Sequence, residues 1–132
     1  MKEYSLSLST YISSSTRIRV YEMERNGESI FKSFFEEIEK DTKLFKDLVK
    51  SIRIIENTSN LQRAPKTKFR EIKGHGLACK VYEAKSNKIR VYLFHEKNTG
   101  RIIVAGGLKT KQKKDIKRVI SIIKDYYYER DK

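Results

Sequence analysis

Basic and aromatic side chains alternate along two neighbouring segments, KVYE at residues 80–83 and IRVYLFH at residues 89–95. Lys80 and Tyr82 are two residues apart in the first segment, and Arg90 and Tyr92 are two residues apart in the second. Because successive side chains of a strand point to opposite faces, this spacing predicts that all four lie on one face of a β-hairpin. Lysine and arginine bind phosphates and tyrosine rings stack on unpaired bases, so such a face is typical of single-stranded RNA binding. The alternative is that the aromatic rings of this hairpin pack beneath a C-terminal helix.

A lysine-rich segment follows the predicted hairpin and adds four candidate phosphate-binding residues: Lys109, Lys111, Lys113 and Lys114. Arg90 differs from these lysines because it lies in the middle of an otherwise apolar strand. Burying its guanidinium unpaired would cost several kcal/mol, so Arg90 requires a partner, solvent or a phosphate. We therefore predict an RNA-binding surface that includes Tyr92 and the four lysines, with Arg90 at its centre.

Metal-free RNA cleavage is compatible with these residue types. The 2′-hydroxyl of RNA attacks the adjacent phosphate if one group removes its proton, a cation stabilises the phosphorane and another group protonates the leaving 5′-oxygen. The candidates are Arg90, Lys80, Tyr82 and His75, which lies between Gly74 and Gly76. His95 falls on the strand face opposite Arg90 and is interpreted as structural. The basic half has no acidic cluster for two magnesium ions and no phosphate-binding glycine motif, so we expect neither a metal nor a cofactor.

The net charge of +13 is unevenly distributed along the 132 residues. Residues 1–60 hold ten basic and ten acidic side chains, whereas residues 61–132 hold twenty basic and seven acidic ones. A concentrated positive charge on a small fold is typical of a polyanion-binding protein, because phosphate contacts release condensed counterions. The alternatives are a merely solvated surface or a patch for an acidic protein segment.

The length allows one hydrophobic core, and we predict a single domain at residues 17–132. A Ser/Thr-rich segment, residues 1–16, precedes it as either a peripheral strand or a disordered arm. There is no apolar run of about 18 residues and no secretory signal pattern, so we expect a cytoplasmic protein without membrane contact. Cys79 is the only cysteine, which rules out an internal disulfide, and we interpret it as a small buried apolar residue.

Hydrophobic periodicity predicts an α+β fold with a small antiparallel sheet in the order β-α-α-β-β-β-α. Asn26-Gly27 predicts a turn, and Ser29 is expected to cap the first helix. Gly106-Gly107 is expected to interrupt the last strand. The predicted strands and helices, in chain order, are residues 17–23, 29–40, 42–56, 77–83, 89–95, 101–105 and 112–129.

The segment at residues 80–114 resembles the RelE/ParE toxin superfamily, in particular its HigB-like, phage-derived branch. The resemblance rests on Arg90 with Tyr92, the turn Asn98 to Gly100, the strand Ile102 to Ala105, and the run from Gly107 to Gln112. It extends to Asn26-Gly27 and to the Phe-rich first helix, and covers roughly residues 17–130.

This resemblance implies the toxin of a type II toxin-antitoxin pair that cleaves mRNA on the translating ribosome and is neutralised by a cognate antitoxin, with which it forms a hetero-oligomer. By position, Arg90 resembles the phosphate-stabilising strand arginine of the family, and Lys80 and Tyr82 fall where basic or acid-base residues occur on the preceding strand. Lys109 and Lys111 fall in its basic segment after the last strand. Two alternatives on the same fold are a ParE-like inhibitor of DNA gyrase and a non-enzymatic RNA-binding protein.

Overall fold

The computed structural model describes residues 3–132, which form one mixed β-sheet and three α-helices, as the α+β prediction requires. The strands are β1 (Tyr4–Leu8), β2 (Val20–Arg25), β3 (Glu28–Ser29), β4 (Phe69–Ile72), β5 (Lys80–Ser86), β6 (Ile89–Glu96) and β7 (Gly100–Leu108). The helices are α1 (Ile30–Ile38), α2 (Thr42–Ser59) and α3 (Gln112–Arg130), and a 3-10 turn, Lys109–Lys111, precedes α3. None of these helices is both long and apolar enough to cross a membrane.

The six principal strands are arranged in the order β1-β2-β7-β6-β5-β4, and the short β3 pairs with β2. Every pairing is antiparallel except that of β2 with β7, where Val20 to Glu22 run parallel to Arg101 to Ile103. The expected antiparallel sheet is therefore mixed. A parallel pair needs a long crossover, and here everything between β2 and β7 supplies it.

The helices cover both faces of the sheet. α1 and α2 pack on the face that contains Val91 and Leu93, whereas α3 packs on the face that contains Tyr92 and Phe94. The two faces bury separate clusters of apolar side chains, and burial of this kind is the main favourable contribution to folding. Among the described residues the sheet also buries four charged side chains, Glu22, Glu83, Arg90 and Arg101.

Gly106 and Gly107 lie inside β7 and do not interrupt it, so the predicted break was wrong. Neither glycine has a positive φ. Their role is steric: a Cβ on Gly106 would overlap the ring of Phe34 in α1, and a Cβ on Gly107 would overlap the carboxylate of Asp115 in α3. The two glycines let a helix approach the sheet closely on each face.

The N-terminal segment contributes an edge strand, which is the first of the two predicted alternatives. β1 pairs with β2 from Tyr4 opposite Arg25 to Leu8 opposite Tyr21. Met1 and Lys2, which also belong to that segment, lie outside the described residues. β4 was not predicted, because four residues are too few to show a period of two.

The predicted turn and helix cap are confirmed. Asn26 and Gly27 have φ of 54° and 85°, the left-handed values of a tight hairpin turn. The hydroxyl of Ser29 accepts a hydrogen bond from the backbone N–H of Lys32 and so begins α1. α2 begins after a cap at Asp41 and continues to Ser59, three residues beyond the predicted end at residue 56.

Candidate nucleic-acid interface

A fully buried carboxylate lies on the sheet face that α3 covers. Glu83 of β5 has no exposed surface. Arg70 of β4 donates to it through Nε at 2.8 Å, with Nη2 at 2.7 Å from the same oxygen. The amide of Gln112 at the start of α3 donates to both carboxylate oxygens, at 3.0 and 2.9 Å. Because a buried carboxylate is tolerated only when paired, these bonds fix β4, β5 and the start of α3 relative to one another.

Arg90 lies on the same face, near the start of β6, and is only 7% exposed. Its Nη1 donates to the backbone carbonyls of Asn87 and Ile89 at 2.8 and 2.9 Å, which hold the guanidinium against the β5–β6 turn. Its Nε is sealed from solvent and has no hydrogen-bond partner among the described residues. The partner of Nη1 is therefore backbone, whereas Nη2 makes no hydrogen bond within residues 3–132 and is not sealed from solvent, so it remains available to an anion.

Two further sealed polar atoms lie beside Arg90. The hydroxyl of Tyr92 and Oδ2 of Asp115 have no hydrogen-bond partner within residues 3–132. Asp115 lies over Gly107, which is the cross-strand neighbour of Arg90. Burial raises the pKa of Tyr92 far above its usual value, and the negative charges of Glu83 and Asp115 raise it further, so this phenol keeps its proton.

Buried polar atoms without partners are rare in folded proteins. Of the four such side-chain atoms in residues 3–132, three belong to Arg90, Tyr92 and Asp115, which are neighbours. Such clusters of unsatisfied or perturbed polar groups are more frequent at functional sites than elsewhere. This buried polar cluster therefore marks the β5–β6 turn end of the sheet as the candidate site.

Lysine side chains surround the same end of the sheet. The backbone N–H of Lys109 donates to the carbonyl of Lys88 at 2.8 Å and so joins the 3-10 turn to the β5–β6 turn, while Lys85 pairs across the strands with Arg90. We call the following six residues the lysine rim: Lys85, Lys88, Lys109, Lys111, Lys113 and Lys114. Lys85 is half-buried and the other five are exposed. Their summed charge gives this end a positive potential that attracts polyanions.

Three of the four predicted catalytic residues lie away from Arg90, and two of them, Lys80 and Tyr82, lie on the opposite face of the sheet. Tyr82 pairs with Leu93, whereas Glu83 pairs with Tyr92, so Lys80 and Tyr82 face α2 and not α3. The prediction of one shared face was wrong because the two-residue turn Asn87-Lys88 places even-numbered residues of β5 opposite odd-numbered residues of β6.

Lys80 is also distant from Arg90 along the strands. Lys80 pairs with His95, five residue pairs from the pair of Lys85 with Arg90, which corresponds to about 16 Å along a strand. Lys80 and Arg90 therefore cannot both bind the same phosphate, because hydrogen bonds require separations of about 3 Å.

Tyr92 is fully buried beneath α3, so the packing alternative holds for this ring, and its predicted stacking on an RNA base was wrong for this conformation. Tyr82 is only half-buried and stacks on Phe69 with ring centroids 5.0 Å apart. Neither of these two rings is therefore exposed to RNA on the face around Arg90.

His75 lies in the loop after β4, remote from Arg90. Its Nδ1 accepts a hydrogen bond from the backbone N–H of Leu77 at 3.0 Å, and it borders a shallow cleft beside Lys117 and Lys124 of α3. β4 ends at Ile72, which pairs with Val81, so this loop lies toward the β6–β7 turn end of the sheet. His95 lies on the face opposite Arg90, as predicted.

Sequence reasoning missed Glu83, Gln112 and Asp115. A carboxylate between apolar residues of a strand, here Val81 and Ala84, is a signal that could have singled out Glu83. No comparable signal exists for Gln112 and Asp115, because their place over the sheet depends on how α3 packs. Within residues 3–132 no group of three or more His, Cys, Asp or Glu side chains is arranged to hold a metal ion.

The protein is thus an α+β protein in which one end of the sheet is basic and is a candidate polyanion-binding surface. Comparison of the chain with protein-family models, with curated proteins and with solved structures finds no match.

Proposed function

We propose that this protein is a metal-independent endoribonuclease with a RelE-like fold, the HigB-like toxin of a type II toxin-antitoxin pair, and that Arg90 and the lysine rim bind the scissile phosphate. The observation that supports this most is that Arg90, the unpaired buried atoms of Tyr92 and Asp115, and six lysines meet at one end of the sheet. The resemblance of residues 80–114 to HigB-like toxins extends the proposal to mRNA on the translating ribosome and to a cognate antitoxin.

In the proposed reaction, the 2′-hydroxyl of the RNA loses its proton, its oxygen attacks the adjacent phosphorus, and the bond from phosphorus to the 5′-oxygen breaks. The products are a 2′,3′-cyclic phosphate and a 5′-hydroxyl. Arg90 and the nearest rim lysines stabilise the additional negative charge of the phosphorane. A rim lysine donates the proton that the leaving 5′-oxygen takes up.

The proton acceptor in this scheme is Oδ1 of Asp115, which, unlike Oδ2, is not sealed from solvent. Both histidines lie away from Arg90, and Glu83 is held by Arg70 and Gln112. Asp115 makes no ion pair among the described residues, and Tyr92, which is fully buried and keeps its proton, takes no part in proton transfer. This assignment replaces His75 and Tyr82, the acid-base residues expected from the sequence.

Induced expression in a bacterial host, with primer extension on abundant transcripts, tests the proposal. We expect translation-dependent cuts that fall by two to three orders of magnitude in Arg90→Ala, as for the loss of one transition-state donor. Because Arg90 is buried, a second variant replaces two exposed rim residues, Lys109→Gln with Lys111→Gln. Its matched control is Lys46→Gln with Lys50→Gln, two exposed lysines of α2.

Cuts that persist in both site variants would refute the assignment of the site. Growth arrest without any cuts would overturn the nuclease and favour the gyrase inhibitor, and neither arrest nor cuts would leave a non-enzymatic RNA-binding protein. Asp115→Asn should retain RNA binding while losing cleavage, and a variant that still cleaves at full rate would remove Asp115 from the scheme.

A further inference from the structure

Arg101 of β7 is a buried arginine without an acidic partner. It is 8% exposed and lies near the β6–β7 turn, on the face that α2 covers. Its Nη1 donates to the hydroxyls of Thr58 and Ser59 at the end of α2, both at 2.8 Å. No carboxylate of the described residues lies within ion-pair distance of it. A buried guanidinium normally has such a partner, so its absence is unusual.

Two aromatic rings supply part of the electrostatic stabilisation that a carboxylate would otherwise give the Arg101 guanidinium. The Arg101 guanidinium carbon lies 5.0 Å from the ring centre of Phe69 and 5.8 Å from that of Tyr82. These cation–π contacts and the two hydroxyls fix the orientation of the guanidinium. Its Nε and Nη2 have no hydrogen bond within the described chain and are not sealed from solvent, so they remain available to an anion.

A lysine and a histidine lie beside Arg101, because His95 pairs with Arg101 across β6 and β7. Lys80 is exposed and pairs directly with His95 across β5 and β6. Burial, Arg101 and Lys80 together lower the pKa of His95, which shows that it lies in their positive field. Glu96, the acidic residue that follows His95, is already engaged by Arg130 at 2.5 Å and by Thr99 at 2.6 Å.

The field at this end is therefore positive. An open cleft of about 790 Å³ gives solvent access to Lys80 and His95. The charged groups around His95 come from β5, β6, the β6–β7 turn, β7 and α3: Lys80, Glu96, Lys97, Arg101, Arg130 and Asp131.

We propose that Arg101, Lys80 and His95 form a second phosphate-binding site, which holds a flanking phosphate of the RNA strand whose scissile phosphate lies at the lysine rim. This inference rests on the proposed function, because it takes RNA as the ligand. The two sites lie on opposite faces and about 16 Å apart along the strands, so a dinucleotide, with one phosphodiester, occupies only one of them. A strand of twelve nucleotides spans roughly 37 Å even when stacked and reaches both.

Equilibrium binding of a 2′-O-methyl RNA of twelve nucleotides tests this, because that strand lacks the attacking hydroxyl and is not cleaved. For single strands the slope of log K against log salt changes by about 0.7 for each phosphate contact. We expect Lys80→Gln to reduce the slope by about 0.7. The control Lys50→Gln, an exposed lysine of α2 with the same change of charge, should leave the slope unchanged. An equal effect of both substitutions would overturn the inference, because only the overall charge would then matter.

The pKa of His95, followed by NMR, gives a readout that a purely structural role of Arg101 would not move. A phosphate at Arg101 offsets the positive field, so binding of the twelve-nucleotide RNA should raise the pKa of His95, and Arg101→Gln should abolish that rise. His75, the other histidine, is the internal reference. If inorganic phosphate raises the pKa as much as the RNA does, the site takes free phosphate and the RNA assignment is wrong. No rise with RNA would refute the site.

The two proposals can fail separately. Absence of RNA cleavage in cells would overturn the nuclease and leave the binding measurements with uncleavable RNA intact. Cleavage that is unaffected by Lys80→Gln, together with an unchanged salt slope, would overturn the second site and leave the nuclease intact.

Discussion

Replacement of Glu83 by glutamine should destabilise the protein considerably while changing almost no volume. One carboxylate oxygen accepts from Arg70, both oxygens accept from the amide nitrogen of Gln112, and the carboxylate is completely buried. Glutamine offers one acceptor oxygen in place of two and directs an N–H₂ group at side chains that are themselves donors. Gln112 can rotate its amide to present its own oxygen, which restores part of the loss.

The magnitude follows from these contacts. Hydrogen bonds to charged groups contribute about 1.5–3 kcal/mol each, and breaking a buried ion pair costs about 3–5 kcal/mol. The Arg70 side chain is 40% exposed and can rehydrate, so its share is smaller. We therefore expect a loss of about 2–3 kcal/mol in the free energy of unfolding. With an unfolding entropy of about 2.1 cal/mol/K per residue over 132 residues, this lowers Tm by roughly 7–11 °C.

Urea denaturation and thermal melting followed by circular dichroism measure this loss. Glu71→Gln is the matched control, because Glu71 lies on the neighbouring strand β4 and is only half-buried. It should change the free energy of unfolding by less than about 0.5 kcal/mol. If Glu83→Gln were as mild as this control, the buried network would not be what fixes α3 on the sheet.

Two further predictions concern the other face of the sheet. Gly106→Ala should lower the urea midpoint clearly, because the new methyl group overlaps the ring of Phe34. Gly27→Ala should act only through the left-handed backbone of Gly27, since no atom lies near its Cβ position. If substitution by side chains larger than alanine lowered the midpoint equally at both positions, this explanation would be contradicted. In the folded protein the pKa of His95 is lowered, mainly by burial and also by the positive charges of Arg101 and Lys80. The unfolded state therefore binds more protons than the folded state at pH values just below the unfolded pKa of about 6.5. Stability should therefore fall as pH decreases through that range, and His95→Gln should reduce this fall; an identical pH profile in the variant would refute the assignment.

Local patterns predicted much of the fold. The apolar stripes identified all three helices, and Asn26-Gly27 identified a turn, because these signals depend on neighbouring residues alone. The pairing of β2 with β7 was not predictable, since nothing in either segment specifies a partner so distant in sequence. β4 has only four residues, and β7 continues through two glycines that would ordinarily weaken a strand.

The candidate site was predicted in part. Arg90 and the lysines after β7 were identified from charge and position, and the structure places them at one end of the sheet. Lys80 and Tyr82 were assigned to the same face because the register of the β5–β6 hairpin depends on its two-residue turn. Gln112 and Asp115 join the site only through the packing of α3, which no local signal specifies.

The parallel pairing of β2 with β7 means that the sheet can be completed only late in synthesis. Val20 lies beside Arg101, so β2 and the hairpin that it forms with β1 keep one open edge until most of the chain has left the ribosome. Contacts this distant in sequence form slowly, because a large loop must close first. The same closure aligns β7, which carries Arg101 and leads into the lysine rim. Nascent chains that lack β7 should therefore be inactive toward RNA and prone to edge-to-edge association.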